Sequence, residues 1–322
     1  MDGTGRPADV FCVLILTTLA PVFLMIALGA GLQRSGFISP GFLKEANRLT
    51  YWLGLPALLF SQLASSFHQG EGAKLMLLVM LTATLLAIVA AYLIAWIMRV
   101  PPAGVGTFVQ GGFRGNLAFV GLPILYALPD TPFAGGLSAR TAAIITVAPM
   151  MVVYNIGGVV VLLLSQHRLG FAMLAPFLRQ LATTPPLHAT LAGILFAVMG
   201  WPLPDVIDKT FTSLGEMALP LGLLGVGGSL VSVKLRGVWR TPLAAALVKV
   251  AISPLLGWGV GKWMGLDPVE LRMILIFMAC PTAIVSYTMA LELKGDEAVA
   301  SATIVLSVLA SVISLAVILS TF

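Results

Sequence analysis

The most informative segments of the chain read FRGNLAFVGLP (residues 113–123) and FMACPTAIVSY (residues 277–287). Each lies in an apolar region long enough to cross a bilayer, yet each has helix breakers and polar groups near its middle. Lipid cannot solvate a free backbone N–H or C=O, so such a break is tolerated only where protein or a water-filled cavity satisfies it. A pair of interrupted spans in matching halves of a membrane protein indicates a transporter's binding site.

The composition excludes a soluble protein. Of the 322 residues, 59% are hydrophobic and 10% are charged, whereas soluble domains average about 45–50% apolar and about 25% charged residues. The formal net charge is +5, but no loop combines a basic cluster with interleaved aromatic residues. We therefore expect an all-α integral membrane protein whose surroundings are the lipid bilayer, and no nucleic-acid partner.

Ten segments are long and apolar enough to be transmembrane helices, which need about 20 apolar residues each. The predicted spans are 10–32, 42–65, 74–98, 104–128, 140–165, 182–200, 208–231, 241–263, 270–291 and 298–321. The two interrupted stretches fall in the fourth and ninth spans.

Similar landmarks recur in the two halves of the chain. Pro56 and Pro220 each follow a leucine in an apolar span, and their separation nearly equals that between Asn116 and Pro281 at the two breaks. Two pairs of landmarks with nearly one spacing predict a five-helix repeat. Because five is odd, the second copy enters the membrane from the opposite side, which makes the repeat an inverted one.

The predicted organisation is a first repeat at residues 1–165 and an inverted second repeat at 182–322. The connection between them, residues 166–181, is apolar with basic ends. Such a segment forms either a short helix lying in the membrane interface or an apolar linker between the repeats.

Loop charges predict the orientation of the chain. Lys and Arg are more frequent in the loops after odd-numbered spans, largely because of Lys234, Arg236 and Arg240. Cytoplasmic loops carry an excess of these residues, so the odd loops are expected in the cytoplasm and both termini outside. The protein is expected to be a multi-pass protein of the cell (inner or plasma) membrane.

The breaks themselves supply candidate binding groups. Pro281 lacks an N–H and ends a helix, but it is favoured at the start of a new one, so a half-helix beginning near Pro281 and Thr282 would point free N–H groups into the gap. At the first break, Gly115 interrupts the helix and the Asn116 side chain can cap the next half-helix. Facing helix N-termini attract an anion such as a carboxylate, and Cys280 adjoins them. Alternatively, the breaks are ordinary kinks, with Asn116 bridging helices.

Charged and polar residues inside the spans are functional candidates because embedding them is costly. Arg114 either binds a substrate carboxylate bidentately, pairs with Glu216, or extends to the membrane surface. Lys249 either replaces a bound cation or carries a proton, or pairs structurally, so Lys249 and Glu216 are the candidates for coupling to protons or sodium. Tyr154 and Asn155 either hydrogen-bond the ligand or join helices.

Enzymatic motifs are absent from the sequence. His68, His167 and His188 lie in loops or at span ends, and none has a second histidine at metal-ligand spacing. No nucleophile-elbow pattern, phosphate loop or dinucleotide fingerprint occurs. We therefore expect no enzyme activity, no bound metal and no cofactor beyond a coupling proton or sodium ion.

Three motifs, in order along the chain, resemble those of the auxin efflux carrier family, which includes plant PIN proteins and bacterial malonate or malate permeases. They are YWLGLPALLF at residues 51–60, RGNLAFVGLP at 114–123 and CPTAIV at 280–285. The resemblance spans nearly the whole chain.

The resemblance implies ten helices in two inverted five-helix repeats, with broken helices four and nine crossing at the site. It also implies a scaffold of helices one, two, six and seven, a mobile domain from the others, and a homodimer. Substrate would lie beside Asn116 and Pro281, which match the family's site positions. The first break departs from the family pattern because Pro123 lies seven residues beyond Asn116. The short central connection is like that of bacterial permeases, so auxin is a poor candidate for the substrate.

The favoured hypothesis is a secondary transporter, a permease or efflux carrier, that moves a small organic anion, a carboxylate, by alternating access at a midplane crossing. One alternative is a sodium or proton antiporter on the same scaffold, which would require embedded acids that the fourth and ninth spans lack near their breaks. The other is a membrane sensor that binds its ligand without transporting it.

Overall fold

The computed structural model of the chain describes residues 20–21, 24–64, 74–128, 139–166, 179, 183, 185–232 and 239–321. Every regular element within these ranges is a helix. Gly115 and Thr282 form an isolated antiparallel bridge outside these helices. The predicted all-α class is therefore confirmed.

The helices before the central connection are α1 (24–34), α2 (Pro40–Leu49), α3 (Leu55–Ala64), α4 (Lys74–Ile97), α5 (Pro102–Phe113), α6 (Leu122–Ala127) and α7 (Ala139–Gln166). A π-helical turn, Thr50–Gly54, joins α2 to α3, and a second one, Leu117–Gly121, leads into α6. Most of the central connection, residues 167–178, lies outside the described residues, so its interfacial helix stays a prediction.

The helices after it are α8 (Pro185–Met199), α9 (Asp205–Glu216), α10 (Ala218–Ser232), α11 (Arg240–Leu247), α12 (Ser253–Trp263), α13 (Pro268–Ala279), α14 (Val285–Glu292) and α15 (Glu297–Thr321). A third π-helical turn, Val248–Ile252, makes α11 and α12 one continuous rod.

Four described helical segments are long and apolar enough to cross a membrane without interruption. They are Lys74–Ile97, Ile145–Gln166, Arg240–Trp263 and Glu297–Thr321. Large apolar side chains such as Trp96, Trp263 and Ile313 lie on the outside of the molecule, each at least 70% exposed, as expected of a surface that contacts lipid. The chain is therefore an all-α membrane protein, and the count of ten spans in inverted repeats stays a prediction.

Local sequence sets the starts of the two helices that lead into the breaks. Pro102 begins α5 and Pro268 begins α13, where a missing N–H costs nothing because that group has no partner within the helix. Asp267 accepts a hydrogen bond from the Glu270 N–H at 2.8 Å, and Glu270 accepts one from the Asp267 N–H at 3.0 Å. This reciprocal capping box fixes where α13 starts.

The inner ends of α5 and α13 are enclosed on every side. All residues from Gly106 to Phe113 and from Met273 to Ala279 are buried, which is the pattern of a helix in the centre of a molecule. Gly121 allows the two interrupted segments to approach, since a Cβ there would lie 2.8 Å from Cδ1 of Phe277. The breaks are therefore held in the interior of the protein.

Candidate functional site

The two breaks meet, and their backbones pair with each other. The Asn116 N–H donates to the Pro281 carbonyl at 2.9 Å, and the Ala283 N–H donates to the Arg114 carbonyl at 2.9 Å. These bonds flank the antiparallel bridge between Gly115 and Thr282. Backbone groups that have lost their helical partners are thus satisfied inside the protein, as burial requires.

Thr282 connects this crossing to two neighbouring helices by hydrogen bonds. Its hydroxyl donates to the Gly111 carbonyl of α5 at 2.7 Å, and its N–H donates to Oγ of Ser307 on α15 at 2.9 Å. The Ser307 hydroxyl donates in turn to the Ile304 carbonyl at 2.9 Å. The role that the structure gives Thr282 is to hold α5, α15 and the second break together.

The second half-helix starts later than the sequence predicts. We expected it near Pro281 and Thr282, but α14 begins at Val285. Pro281 ends α13, and the next two N–H groups are bonded outside a helix, that of Thr282 to Ser307 and that of Ala283 to the first break. The expectation of a free Thr282 N–H was therefore wrong, because the crossing itself uses that group.

Asn116 does not cap the half-helix that follows it, which corrects a second expectation. Its backbone carbonyl accepts hydrogen bonds from the N–H groups of Val120 at 3.1 Å and Gly121 at 3.2 Å, and the helix resumes as the π-helical turn with no side-chain cap. The Asn116 side chain makes no hydrogen bond to any described residue.

Arg114 is buried in the protein and does not pair with Glu216. The residue is 4% exposed, and its guanidinium donates to Oδ1 of Asn155 at 2.5 Å and to Sδ of Met289 at 2.6 Å. Glu216 is exposed at the end of α9 and forms no ion pair with Arg114. The pairing with Glu216 and the extension of Arg114 to the membrane surface were both wrong.

Lys249 is the second cation at the crossing and is fully buried. It projects from the π-helical turn Val248–Ile252, and its ammonium donates to the Met278 carbonyl at the end of α13. A Cβ on Gly115 would lie 3.0 Å from Cε and 3.2 Å from Nζ of Lys249, so the side chain reaches the first break as well. Among the described residues, no carboxylate pairs with Lys249 or with Arg114.

The remaining predicted site residues line the crossing. The buried Cys280 thiol donates to the Ile276 carbonyl at 3.2 Å. The Tyr154 ring packs edge-on against Phe113, with ring centroids 5.8 Å apart, and therefore braces the end of α5. Asn155 orients Arg114, while its own Nδ2 has no hydrogen-bond partner among the described residues.

Two further polar residues near the crossing were missed by the sequence analysis. Ser286, in the first turn of α14, is buried, and its hydroxyl has no partner within the described part of the chain. Gln110 donates to Sδ of Met289 at 3.5 Å, and its Oε1 is likewise unpartnered. Both had a signal, since Ser286 lies within the second interrupted stretch and Gln110 lies one helical turn before Arg114 on the same face.

The crossing combines buried positive charge with unpartnered polar groups. Arg114 and Lys249 are the cations. Within the described part of the chain, the Asn116 side chain and the Ser286 hydroxyl have no hydrogen-bond partner, and no carboxylate offsets the positive charge. The described residues also contain no group of His, Cys, Asp and Glu side chains that could hold a metal ion.

A family model described as "Membrane transport protein" matches residues 14–319. The match includes both interrupted helices and nearly all of the chain.

Three proteins with similar sequences are named as transporters. An uncharacterized transporter of Methanocaldococcus jannaschii is 22% identical over 87% of this chain and 87% of its own length. An uncharacterized transporter of Methanothermobacter thermautotrophicus is 23% identical over 92% of this chain and 95% of its own. A Rhizobium meliloti protein named "Putative malonate transporter" is 25% identical over 83% of this chain and 82% of its own.

Proposed function

Because the chain belongs to the membrane transport protein family, the family of the auxin efflux carriers, we propose that it is a secondary carrier for a small organic anion. The substrate is a carboxylate that binds where the two interrupted helices cross. The carrier works by alternating access, with the crossing exposed first to one side of the membrane and then to the other.

The observation that supports an anion best is the uncompensated positive charge at the crossing. Arg114 and Lys249 are both buried, and their hydrogen bonds go to the neutral acceptors Asn155, Met289 and the Met278 carbonyl. Removing a charge from water is expensive unless an opposite charge accompanies it. A bound carboxylate would provide that opposite charge, so substrate binding and charge compensation are the same event.

Asn116 is the proposed contact residue for the carboxylate. Asn116 directly follows Gly115 of the bridge that joins the breaks, and its side chain makes no hydrogen bond to the described residues. Ser286 supplies a second polar group, a hydroxyl with no partner among the described residues, in the first turn of α14, where the helix dipole favours a negative charge. Two cations suit a dicarboxylate better than a monocarboxylate, and the name of the Rhizobium meliloti relative supports the same class.

The architecture proposed for transport is the one expected from the sequence. Ten spans in two inverted repeats would place the crossing near the middle of the cell membrane with both termini outside, and two copies would form a homodimer. The interrupted α5 and α13, at matching positions in the two halves, support this arrangement because inverted-repeat carriers build their sites from such helices. The sodium or proton antiporter has less support, because the described crossing lacks the acidic ligands that it needs, and no observation favours a sensor.

The test of this proposal measures carboxylate binding and uptake by Asn116 variants. Wild-type protein in liposomes should take up one acid from a panel of malonate, succinate and acetate, and the same acid should stabilise the purified protein against heating. Asn116→Ala should lose both effects while still folding. Asn116→Asp should lose them more completely, because a new negative charge repels the substrate.

Thr210→Ala is the matched control, since Thr210 is exposed on α9 and should leave uptake unchanged. Normal carboxylate uptake by Asn116→Ala would show that Asn116 does not bind the substrate. Sodium binding that strengthens in Asn116→Asp, with no response to any acid in the wild type, would favour the antiporter instead.

A further inference from the structure

The end of α13 has a carbonyl that its own helix leaves free. In an unbroken helix the Met278 carbonyl would accept from the N–H four residues later, that of Thr282. That N–H donates instead to Ser307 of α15 at 2.9 Å. The Lys249 ammonium takes the vacant place on the Met278 carbonyl, so a charged side chain replaces a helical hydrogen bond at the break.

This place has the properties of a cation site. A helix C-terminus has a partial negative charge, and in secondary carriers the C-terminal carbonyls of half-helices coordinate the coupling sodium ion. In this protein, the cation at the end of the half-helix is the ammonium group of Lys249 rather than a dissolved ion. Lys249 is fully buried, and it comes from a π-helical turn, a distortion that is frequent at functional sites.

Lys249 also reaches the first break, where the proposed substrate contact lies. Gly115, the residue before Asn116, makes room for the lysine, because a Cβ at that position would lie 3.2 Å from Nζ. An ammonium has three N–H donors, and the Met278 carbonyl is the hydrogen-bond acceptor that the described residues provide for it. The group is therefore held at the crossing by one neutral bond and has donors left for a ligand.

We propose that Lys249 is a built-in cation that takes the place of a dissolved coupling ion. Its ammonium balances the charge of the substrate carboxylate at the crossing, so the carrier binds its anion equally well with or without sodium. This inference rests on the proposed function, because it assumes an anionic substrate.

The first experiment uses the wild-type protein. Malonate, succinate and acetate binding is measured by calorimetry with sodium, potassium or N-methylglucamine as the bulk cation at constant ionic strength. The dissociation constant for the bound acid should be the same, to within about two-fold, in all three, because the site contains its own cation. A dissociation constant that falls about ten-fold or more on adding sodium would overturn the inference.

The second experiment removes the built-in cation. Lys249→Ala should weaken acid binding about ten-fold or more in N-methylglucamine, and ammonium or sodium chloride should partly restore it by filling the vacated place. Lys249→Arg keeps the charge and should retain more affinity than Lys249→Met, which has similar length without charge. Lys262→Met is the control, since Lys262 is exposed at the end of the same rod and should not affect binding.

These outcomes separate the inference from the proposed function. If acid binding needs sodium in the wild type, or is unchanged in Lys249→Ala, Lys249 is not a built-in cation. The proposed function as an anion carrier would still stand. Absence of binding to every acid in every salt would contradict the proposed function itself. If Lys249→Ala does not fold, Lys249→Arg and Lys249→Met decide the question together, because they have similar length and differ in charge: equal acid affinity in the two variants would overturn the inference.

Discussion

At the residue scale, Arg114 shows how the protein keeps a positive charge available in its interior. Its guanidinium is bound by an amide oxygen and a thioether, which hold its position without neutralising it. A carboxylate in the place of Asn155 would give a stronger, charge-assisted bond but would cancel the charge. A neutral partner suits the proposed anion site, because it leaves the positive charge uncompensated and electrostatic attraction in a buried environment is poorly screened.

Asn155→Asp is therefore predicted to separate stability from binding. The new carboxylate should pair with Arg114 and raise the melting temperature, because it removes an unpaired buried charge. It should also weaken carboxylate binding by about ten-fold, or about 1.4 kcal/mol, because the charge is then already compensated. Thermal unfolding and calorimetry measure the two effects.

Asn155→Leu provides the comparison for that variant. It removes the hydrogen bond to Arg114 without adding a charge, so it should lower the melting temperature. Carboxylate binding by Asn155→Asp that equals the wild type would mean that the charge of Arg114 does not contribute to the site.

At the element scale, α15 supports the second break through a single hydroxyl. Ser307 and Ser311 lie one turn apart, both are fully buried, and each donates to a carbonyl three residues earlier, at 2.9 and 2.8 Å respectively. They differ in that Ser307 also accepts the Thr282 N–H. Comparing substitutions of Ser307 and Ser311 therefore measures how much the Thr282 contact contributes to the free energy of unfolding.

Ser307→Ala is predicted to lower the free energy of unfolding by about 1–3 kcal/mol, the cost of leaving a buried N–H without an acceptor. Ser311→Ala should have a clearly smaller effect, because its hydroxyl satisfies no second group in the described structure. Denaturation in detergent micelles measures both. Equal effects of the two substitutions would show that the Thr282 contact does not stabilise the crossing.

At the scale of the whole molecule, the orientation in the membrane determines which side each end of the carrier faces. The excess of Lys and Arg after odd-numbered spans predicts that Ser35, between the first and second predicted spans, is cytoplasmic. Asp205, between the sixth and seventh predicted spans, is then expected outside. Both residues are exposed, so a cysteine at either position should react with a maleimide reagent that reaches it.

In intact cells, a membrane-impermeant maleimide should label an Asp205→Cys variant but label a Ser35→Cys variant only after the cells are permeabilised. The background variant is Cys12→Ser, while the buried Cys280 is retained. Labelling of Ser35→Cys in intact cells, with protection of Asp205→Cys, would reverse the proposed orientation.

Much of the fold and part of the site follow from local sequence. Apolar runs indicate membrane helices because a backbone in lipid must pair within its own segment, and Gly115, Asn116 and Pro281 mark the breaks because each residue disfavours an uninterrupted helix. Embedded cations are conspicuous in so apolar a chain, so Arg114 and Lys249 were identified as candidates. These inferences depend on residues that are near each other in the sequence.

The partners of those groups were beyond local inference. The carbonyl that Lys249 meets, and the amide and thioether that hold Arg114, come from other helices, and Met289 is 175 positions away from Arg114 in the chain. The start of α14 was also mispredicted, because the Thr282 N–H donates to Oγ of Ser307 rather than to a carbonyl within a helix. The sequence alone determines which backbone groups lose their helical hydrogen bonds. Which distant atoms then satisfy those groups depends on how the helices pack, because a buried polar group can bond only to a partner that the packing brings within reach.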